Sequence, residues 1–272
     1  MSLSLGSVNI GPMYAGGRKI AEAWLGSSKV FGGSSPALPA YTIRLKYTDG
    51  VIPTFTYGTA TQVSSSPNVW DLTYENTSWG NLLNGHSGLL QVIAANTTGV
   101  TMMHGMFNNC TSLASVPLFD TSSVTYMSNM FSGCTSLTTV PLFDTSSVTL
   151  IYSMFSGCTS LTTVPLFDTS SATRMDSMFM NCTSLTTVPL FDTSSATRMD
   201  SMFDGCLAVQ SGALALYQQA STQATPPAFH ANTFQDCGHY TETGVAELSQ
   251  IPTDWGGTMQ SSTDDDYIGG GG

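Results

Sequence analysis

Met130-Phe-Ser-Gly-Cys134-Thr-Ser-Leu137-Thr-Thr-Val140-Pro-Leu142-Phe143-Asp144-Thr-Ser-Ser147-Val148-Thr149 is followed, from Met154 on, by nearly the same words. Cys110, Cys134, Cys158, Cys182 and Cys206 are evenly spaced, and the Met-Phe pairs opening at Met106, Met130, Met154, Met178 and Met202 keep the same interval. Leu-Thr-Thr-Val-Pro-Leu-Phe-Asp-Thr-Ser-Ser stands at 137–147, 161–171 and 185–195, and a variant spelling occupies 113–123. A unit this short cannot bury its own apolar face, so the units must stack into a solenoid. Each coil should rise about 4.8 Å, one strand spacing.

Upstream the frame continues in weaker spelling. Leu89, Val92 and Val100 precede Leu113, Val116 and Val124 by one interval, and Leu82-Leu83-Asn84-Gly85-His86 places His86 in the cysteine slot. Downstream, Phe234-Gln-Asp-Cys237 echoes Phe203-Asp-Gly-Cys206 after an interval longer than the repeat, so that coil carries an insertion. The strong helix former Ala213-Leu-Ala-Leu-Tyr-Gln-Gln-Ala220 fills it. Within a coil the inward set is read as Leu137, Val140 and Leu142. Pro141 has no N–H for a ladder bond. Asp144-Thr-Ser-Ser147 is a turn whose side chains bond their own backbone. The glycine of Ser-Gly-Cys makes a tight corner.

The spelling from Met130 to Thr149 resembles the BspA-like leucine-rich repeats of bacterial surface proteins, mycoplasma lipoproteins, and proteins of gut bacteria and their phages. The resemblance covers 82–206 closely and reaches 237 loosely. It implies a β-rich, right-handed solenoid with a parallel sheet on one face. It also implies a role in adhesion or recognition, and no catalytic residues.

The ends read differently. Residues 1–33 form a small N-terminal β unit in which Leu5-Gly-Ser-Val-Asn-Ile and Leu25-Gly-Ser-Ser-Lys-Val are near copies flanking Ile20-Ala-Glu-Ala-Trp24-Leu. So short a unit rarely folds alone, which makes Tyr14, Trp24 and Phe31 candidates for anchoring it to a partner or to copies of itself. The Leu-Gly-Ser and Ala-Trp-Leu-Gly spelling resembles N-terminal segments of tail and head-fibre proteins of tailed phages. Residues 34–40 are a Ser/Pro linker. In 41–88, Tyr41–Tyr47 and Val51–Tyr57 flank Asp49-Gly50, the signal of a β-hairpin, here read as the N-terminal cap. The repeats with a C-terminal cap near Ala246–Trp255 then occupy 89–257, and 258–272 is an acidic, glycine-ended tail.

Only 9% of the residues are charged, while 41% are hydrophobic, and the formal net charge is −11. Residues 1–64 carry five cations against two acids; the remainder carries Arg174 and Arg198 against sixteen acids. That field repels a phosphate backbone, so no nucleic-acid partner is expected. The first residues lack the cationic start and apolar run of a secretory leader. No apolar stretch approaches the length of a membrane span, so no membrane insertion is expected.

The cysteine column reads as buried free thiols, since zinc ligands come in close pairs that converge on a point; disulfides or a metal are the alternative. Asp120, Asp144, Asp168 and Asp192, with Asn96 before them, read as turn acceptors, or else as calcium ligands. Phe119, Phe143, Phe167 and Phe191 form either an exposed aromatic stripe, as strict alternation from Val140 demands, or a buried column created by a bulge after Pro141. Three slots change between coils and are therefore solvent-facing: Met102, Tyr126, Leu150, Arg174, Arg198; then His104, Ser128, Tyr152, Asp176, Asp200; then Asn108, Ser132, Ser156, Met180, Asp204. Of these, Tyr126, Tyr152, Arg174, Asp176, Arg198 and Asp200 are the candidate recognition face. No nucleophile motif or carboxylate pair suits an enzyme, and no cofactor or metal is expected.

The expected function is non-enzymatic. The chain is read as a phage virion protein, tail-associated or head fibre, assembled in the host cytoplasm and mounted on other virion proteins through 1–33. It would form a homo-oligomer, guessed to be a trimer, and display the repeats to a host surface glycan or protein. The alternative is a bacterial cell-surface adhesin of the repeat family.

Overall fold

The computed structural model describes residues 38–258 and, before them, six short strands. The chain divides into two units, Met1–Pro39 and Ala40–Gly272. In the first, β1 (Leu3–Leu5) pairs antiparallel with β2 (Val8–Ile10), β3 (Tyr14–Ala15) with β4 (Arg18–Lys19), and β5 (Trp24–Leu25) with β6 (Ser28–Lys29). The near copies thus place their strands alike: Leu5 opposite Val8, Leu25 opposite Ser28.

The second unit opens with a four-stranded antiparallel sheet in the order β10-β7-β9-β8, made of β7 (Thr42–Tyr47), β8 (Thr59–Ser65), β9 (Asn68–Thr73) and β10 (Leu89–Asn96). The expected hairpin across Asp49-Gly50 is absent: Val51–Tyr57 is not a strand, and β7 pairs with β9 and β10 instead. Pro53 cannot donate to a ladder, and Ile52 is 82% exposed, so the segment has neither the bonds nor the buried face of a partner strand. Asn68 replaces it as the organiser of the turn. Its amide N–H donates to Asp49 Oδ1 at 2.9 Å, and its side-chain NH2 donates to the carbonyls of Thr48 and Val51.

The repeats follow as stacked coils. Parallel bridges run Ser78, Met102, Tyr126, Leu150, Arg174, Arg198, Phe229, each joined to the next. The column therefore begins at Ser78, inside the stretch expected to be cap. Strand β10 belongs to both parts: it pairs with β7, and its Gln91 bridges to Ser115 of the next coil. The continuous parallel sheet expected on one face is replaced by single bridges, because every coil bends too often to hold a strand. Asn129, Ser153, Ser177 and Ser201 have φ between 52 and 57°, and the corner slot that follows in each coil is also left-handed, with Gly133 at 73° and Gly157 at 74°. Extended backbone does not tolerate such residues.

The bending leaves an alternating hydrogen-bond pattern. Met127, Asn129, Phe131 and Gly133 donate to the carbonyls of Leu150, Tyr152, Met154 and Ser156 in the next coil, at 2.7–3.0 Å. The N–H groups between them turn back on their own coil, as Met130 does to Met127 and Ser132 to Asn129. Alternate donors thus serve the stack and the coil in turn, which meets the need of a buried backbone for partners. On the far side the carbonyls are bridged by side chains: Thr145 Oγ1 donates to Asp168 O at 2.7 Å, and Thr169 Oγ1 to Asp192 O at 2.7 Å.

The core is two columns of rings. Phe107, Phe131, Phe155, Phe179, Phe203 and Phe234 stack at 5.1–6.1 Å between centroids, with planes within 13° of parallel. Phe119, Phe143, Phe167 and Phe191 form the second column beside them. The insertion holds α1 (Ala213–Thr222), as expected, and Met199, Ser201, Phe203 and Gly205 resume the ladder beyond it with Phe229, Ala231, Thr233 and Gln235. Helix α2 (Glu242–Leu248) sets Glu247 on the amides of Gly212 and Leu214, at 3.2 and 3.1 Å, where an anion complements the start of α1. The stack closes at Trp255, whose carbonyl accepts from Phe234 N–H at 2.9 Å.

Candidate functional site: the edge where coils differ

The bridge column carries the changing side chains on one edge. His104 stacks on Tyr126 with ring centroids 5.0 Å apart, and the Tyr126 and Tyr152 hydroxyls meet at 2.9 Å. The Arg174 guanidinium lies 4.4 Å over the Tyr152 ring and grips Asp176 with two bonds, Nε to Oδ1 at 2.9 Å and NH2 to Oδ2 at 2.8 Å. One coil further, Arg198 bonds Asp200 at 3.1 Å and lies 4.8 Å over the Phe229 ring. All six candidate recognition residues therefore lie on one continuous edge, stacking coil on coil.

These side chains hold one another in place. The hydrogen bond with Tyr126 and partial burial raise the Tyr152 phenol above its ordinary value, and the hydrogen-bonded Asp176 carboxylate raises Arg174. Tyr152 is therefore neutral and Arg174 charged near neutral pH. Half-exposed ion pairs of this kind contribute about 0–1 kcal/mol to stability. Their main effect is to fix the planar groups, which leaves the edge ordered.

One slot departs from the reading that variation means exposure. Ser128 is fully buried, with its hydroxyl donating to Leu150 O at 3.4 Å. Most of the other variable residues are half-buried, because each side chain is covered by its neighbour one coil away. Two members were missed. His104 shares the slot of Tyr152 and Asp176. Phe229, 54% exposed, follows Arg198 by the same long interval that separates Phe203 from Phe234; applying that interval to the edge slot finds it.

The aromatic stripe is corrected. Phe119, Phe143, Phe167 and Phe191 are buried, each at most 2% exposed, while Leu118, Leu142, Leu166 and Leu190 are 64, 58, 60 and 53% exposed. The inward set thus contains Phe143, not Leu142. Proline breaks the alternation, and the larger ring, which has a stacking partner above and below, takes the interior. The cysteines are buried free thiols. Cys134 donates to Phe107 O and Cys158 to Phe131 O, both at 3.1 Å. His86 in their slot meets the Tyr47 hydroxyl through Nδ1 at 2.6 Å. The Asp column has the turn geometry: Asp144 Oδ1 accepts from Ser146 N at 3.1 Å and Oγ at 2.7 Å, and Asp168 repeats it with Ser170. The serine hydroxyl bonds, then the amide bonds, hold Asp120 and Asp168 below the usual carboxylate range.

Among the described residues, no three His, Cys, Asp or Glu side chains converge on a metal position, and no helix is long and apolar enough to cross a membrane. Of the proposed anchor, Phe31 lies outside the described residues, and Tyr14 and Trp24 are described only as members of β3 and β5. Residues 259–272 of the tail lie outside them too.

The sequence profile of one protein family matches twice, over 81–187 and over 162–252. The chain belongs to the family described as Mycoplasma protein of unknown function, DUF285. The matched region spans nearly the whole repeat column and does not reach the N-terminal unit. The DUF285 assignment agrees with the resemblance to BspA-like surface repeats. It lends nothing to the resemblance of residues 1–33 to phage fibre segments. No curated protein and no solved structure matches the chain.

Proposed function

We propose that this DUF285 protein is a non-catalytic recognition protein: a right-handed solenoid that presents the edge from His104 to Phe229 to a surface glycan or protein. One observation carries the reading. Coils that are otherwise near copies differ at the bridge slots, and those slots gather into one ordered run of tyrosine, arginine and aspartate. Tyr and Arg are the residues that most often anchor interfaces. A mount through residues 1–33 on a phage particle, as a homo-oligomer, is the setting that the N-terminal spelling suggests. The bacterial cell surface is the second setting, favoured by a family description that names a bacterial genus.

The edge is tested with an array of bacterial and host surface glycans probed by the labelled full chain and by Tyr152→Ala/Arg174→Ala. Binding by the wild type that falls at least tenfold in the variant, with unchanged circular dichroism, is the expected result. Equal binding by the two chains removes the edge from the function. The setting is tested by mass spectrometry of purified phage particles, where a fixed stoichiometry of this chain is expected and its absence favours the cell surface.

A further inference from the structure

The exposed leucines form a second surface, separate from the edge. Leu118, Leu142, Leu166 and Leu190 each lie more than half in solvent, in successive coils. The buried rings next to them in sequence stack from coil to coil at 5.6, 6.3 and 6.5 Å between centroids, so the leucines take equivalent places on successive coils. Shortly after each leucine comes an exposed carboxylate, Asp120, Asp144, Asp168 or Asp192. Between the lines lies a shallow depression of about 330 Å³, bounded by Leu142, Asp144, Leu166 and Asp168 among others. The bridge slots change from coil to coil, yet this exposed slot is leucine in all four. Soluble proteins rarely line up large aliphatic side chains in water without a partner.

We infer that the leucine–aspartate stripe docks a cationic amphipathic helix laid along the stack, with one apolar and one basic side chain per turn. The rings beneath the stripe repeat at 5.6–6.5 Å, close to the helix pitch of about 5.4 Å, so a helix laid along the stack offers about one turn to each coil. Charge selects the partner. Serine hydroxyls donate to the Asp144 and Asp168 carboxylates and fix them at the surface, and residues 65–272 carry two cations against sixteen acids. A second copy of this chain would bring its own carboxylates into the same interface, and an anionic lipid surface would meet the same repulsion.

The test titrates the full chain with two labelled helical peptides of equal length, one of leucine and lysine at i, i+4 spacing and one with glutamate for lysine, followed by anisotropy. Binding of the lysine peptide alone is expected, weakened at least tenfold by Leu142→Ser/Leu166→Ser and made less salt-dependent by Asp144→Asn/Asp168→Asn. Circular dichroism checks that the variants fold, which the exposure of these side chains favours. Unchanged affinity in the leucine variant would reduce the binding to general charge attraction and overturn the proposal. So would a concentration-dependent dimer of the wild type that the leucine variant abolishes, since a second copy would then cover the stripe.

Discussion

At position 143 a phenyl ring lies between the rings of Phe119 and Phe167, 5.6 and 6.3 Å away, while Leu142 beside it lies in solvent. Phe143→Ala should therefore cost about 3–5 kcal/mol, and Leu142→Ala no more than about 0.5 kcal/mol. Urea titrations of the two variants decide this, and a reversed order would restore the alternating reading. The thiols give a second residue-scale expectation. Burial pushes Cys110 up to about 12 from its ordinary 9.0 and raises Cys134 and Cys158 as well. The folded chain thus binds the thiol protons more tightly than the unfolded one. That contribution is complete below the ordinary thiol value and is lost as pH rises towards the folded-state values. Each thiol then costs about 1.4 kcal/mol per pH unit. The melting temperature should fall steeply above pH 9.0 and on towards about 12; a flat profile across that range would mean that the thiols ionise in place.

Between β10 and α1 the coils have no regular secondary structure and are held by their corners. Gly157 has φ 74°, and the same slot is taken by Asn109 at 57° and Asn181 at 61°. An added Cβ at Gly157 approaches nothing closer than 3.7 Å, so space is not the obstacle and backbone strain decides. Gly157→Ala should cost about 1–2 kcal/mol for the left-handed conformation. Gly157→Asn should cost distinctly less, because asparagine visits that region readily. Thermal melts that rank asparagine below alanine would contradict the corner geometry. At this scale the repeat length, the inserted helix and the glycine corner were all legible, since each depends on local spelling. The partners of β7 were not: β9 and β10 lie far along the chain, and pairing between distant segments has no local signature.

The described chain comprises three antiparallel strand pairs in the first unit and, in the second, a sheet and repeats around a shared core. Leu161 lies in that core, fully buried, and Leu161→Ala should destabilise the full chain by about 2–5 kcal/mol. A fragment spanning 34–272 should keep the full chain's melting temperature, because the sheet around β7 covers the first coil and Trp255 closes the last. A fragment that is unfolded by circular dichroism would make the segment 1–33 part of the repeat fold rather than a mount.

The stacking of coils follows from composition and period, which also set the cysteines and the aspartates in columns; the buried free thiols and the serine-bonded carboxylates are the first of the two readings each column allowed. A unit as short as one repeat has no core of its own, a column of one residue type points one way, and an aspartate before serines bonds the nearest amides. The gathering of Tyr126, Tyr152, Arg174, Asp176, Arg198 and Asp200 was legible too, because equal spacing forces equal slots onto one edge. Tertiary packing decided the rest. Phe143 or Leu142 can each face inward on local grounds, and the interior goes to the ring because it packs against the rings of the coils on either side. Phe229 joined the edge because α1 loops out and returns the chain to the ladder, and Ser128 is buried with its hydroxyl on Leu150 O of the next coil. Burial of this kind depends on what lies one coil away, which no single stretch of the chain contains.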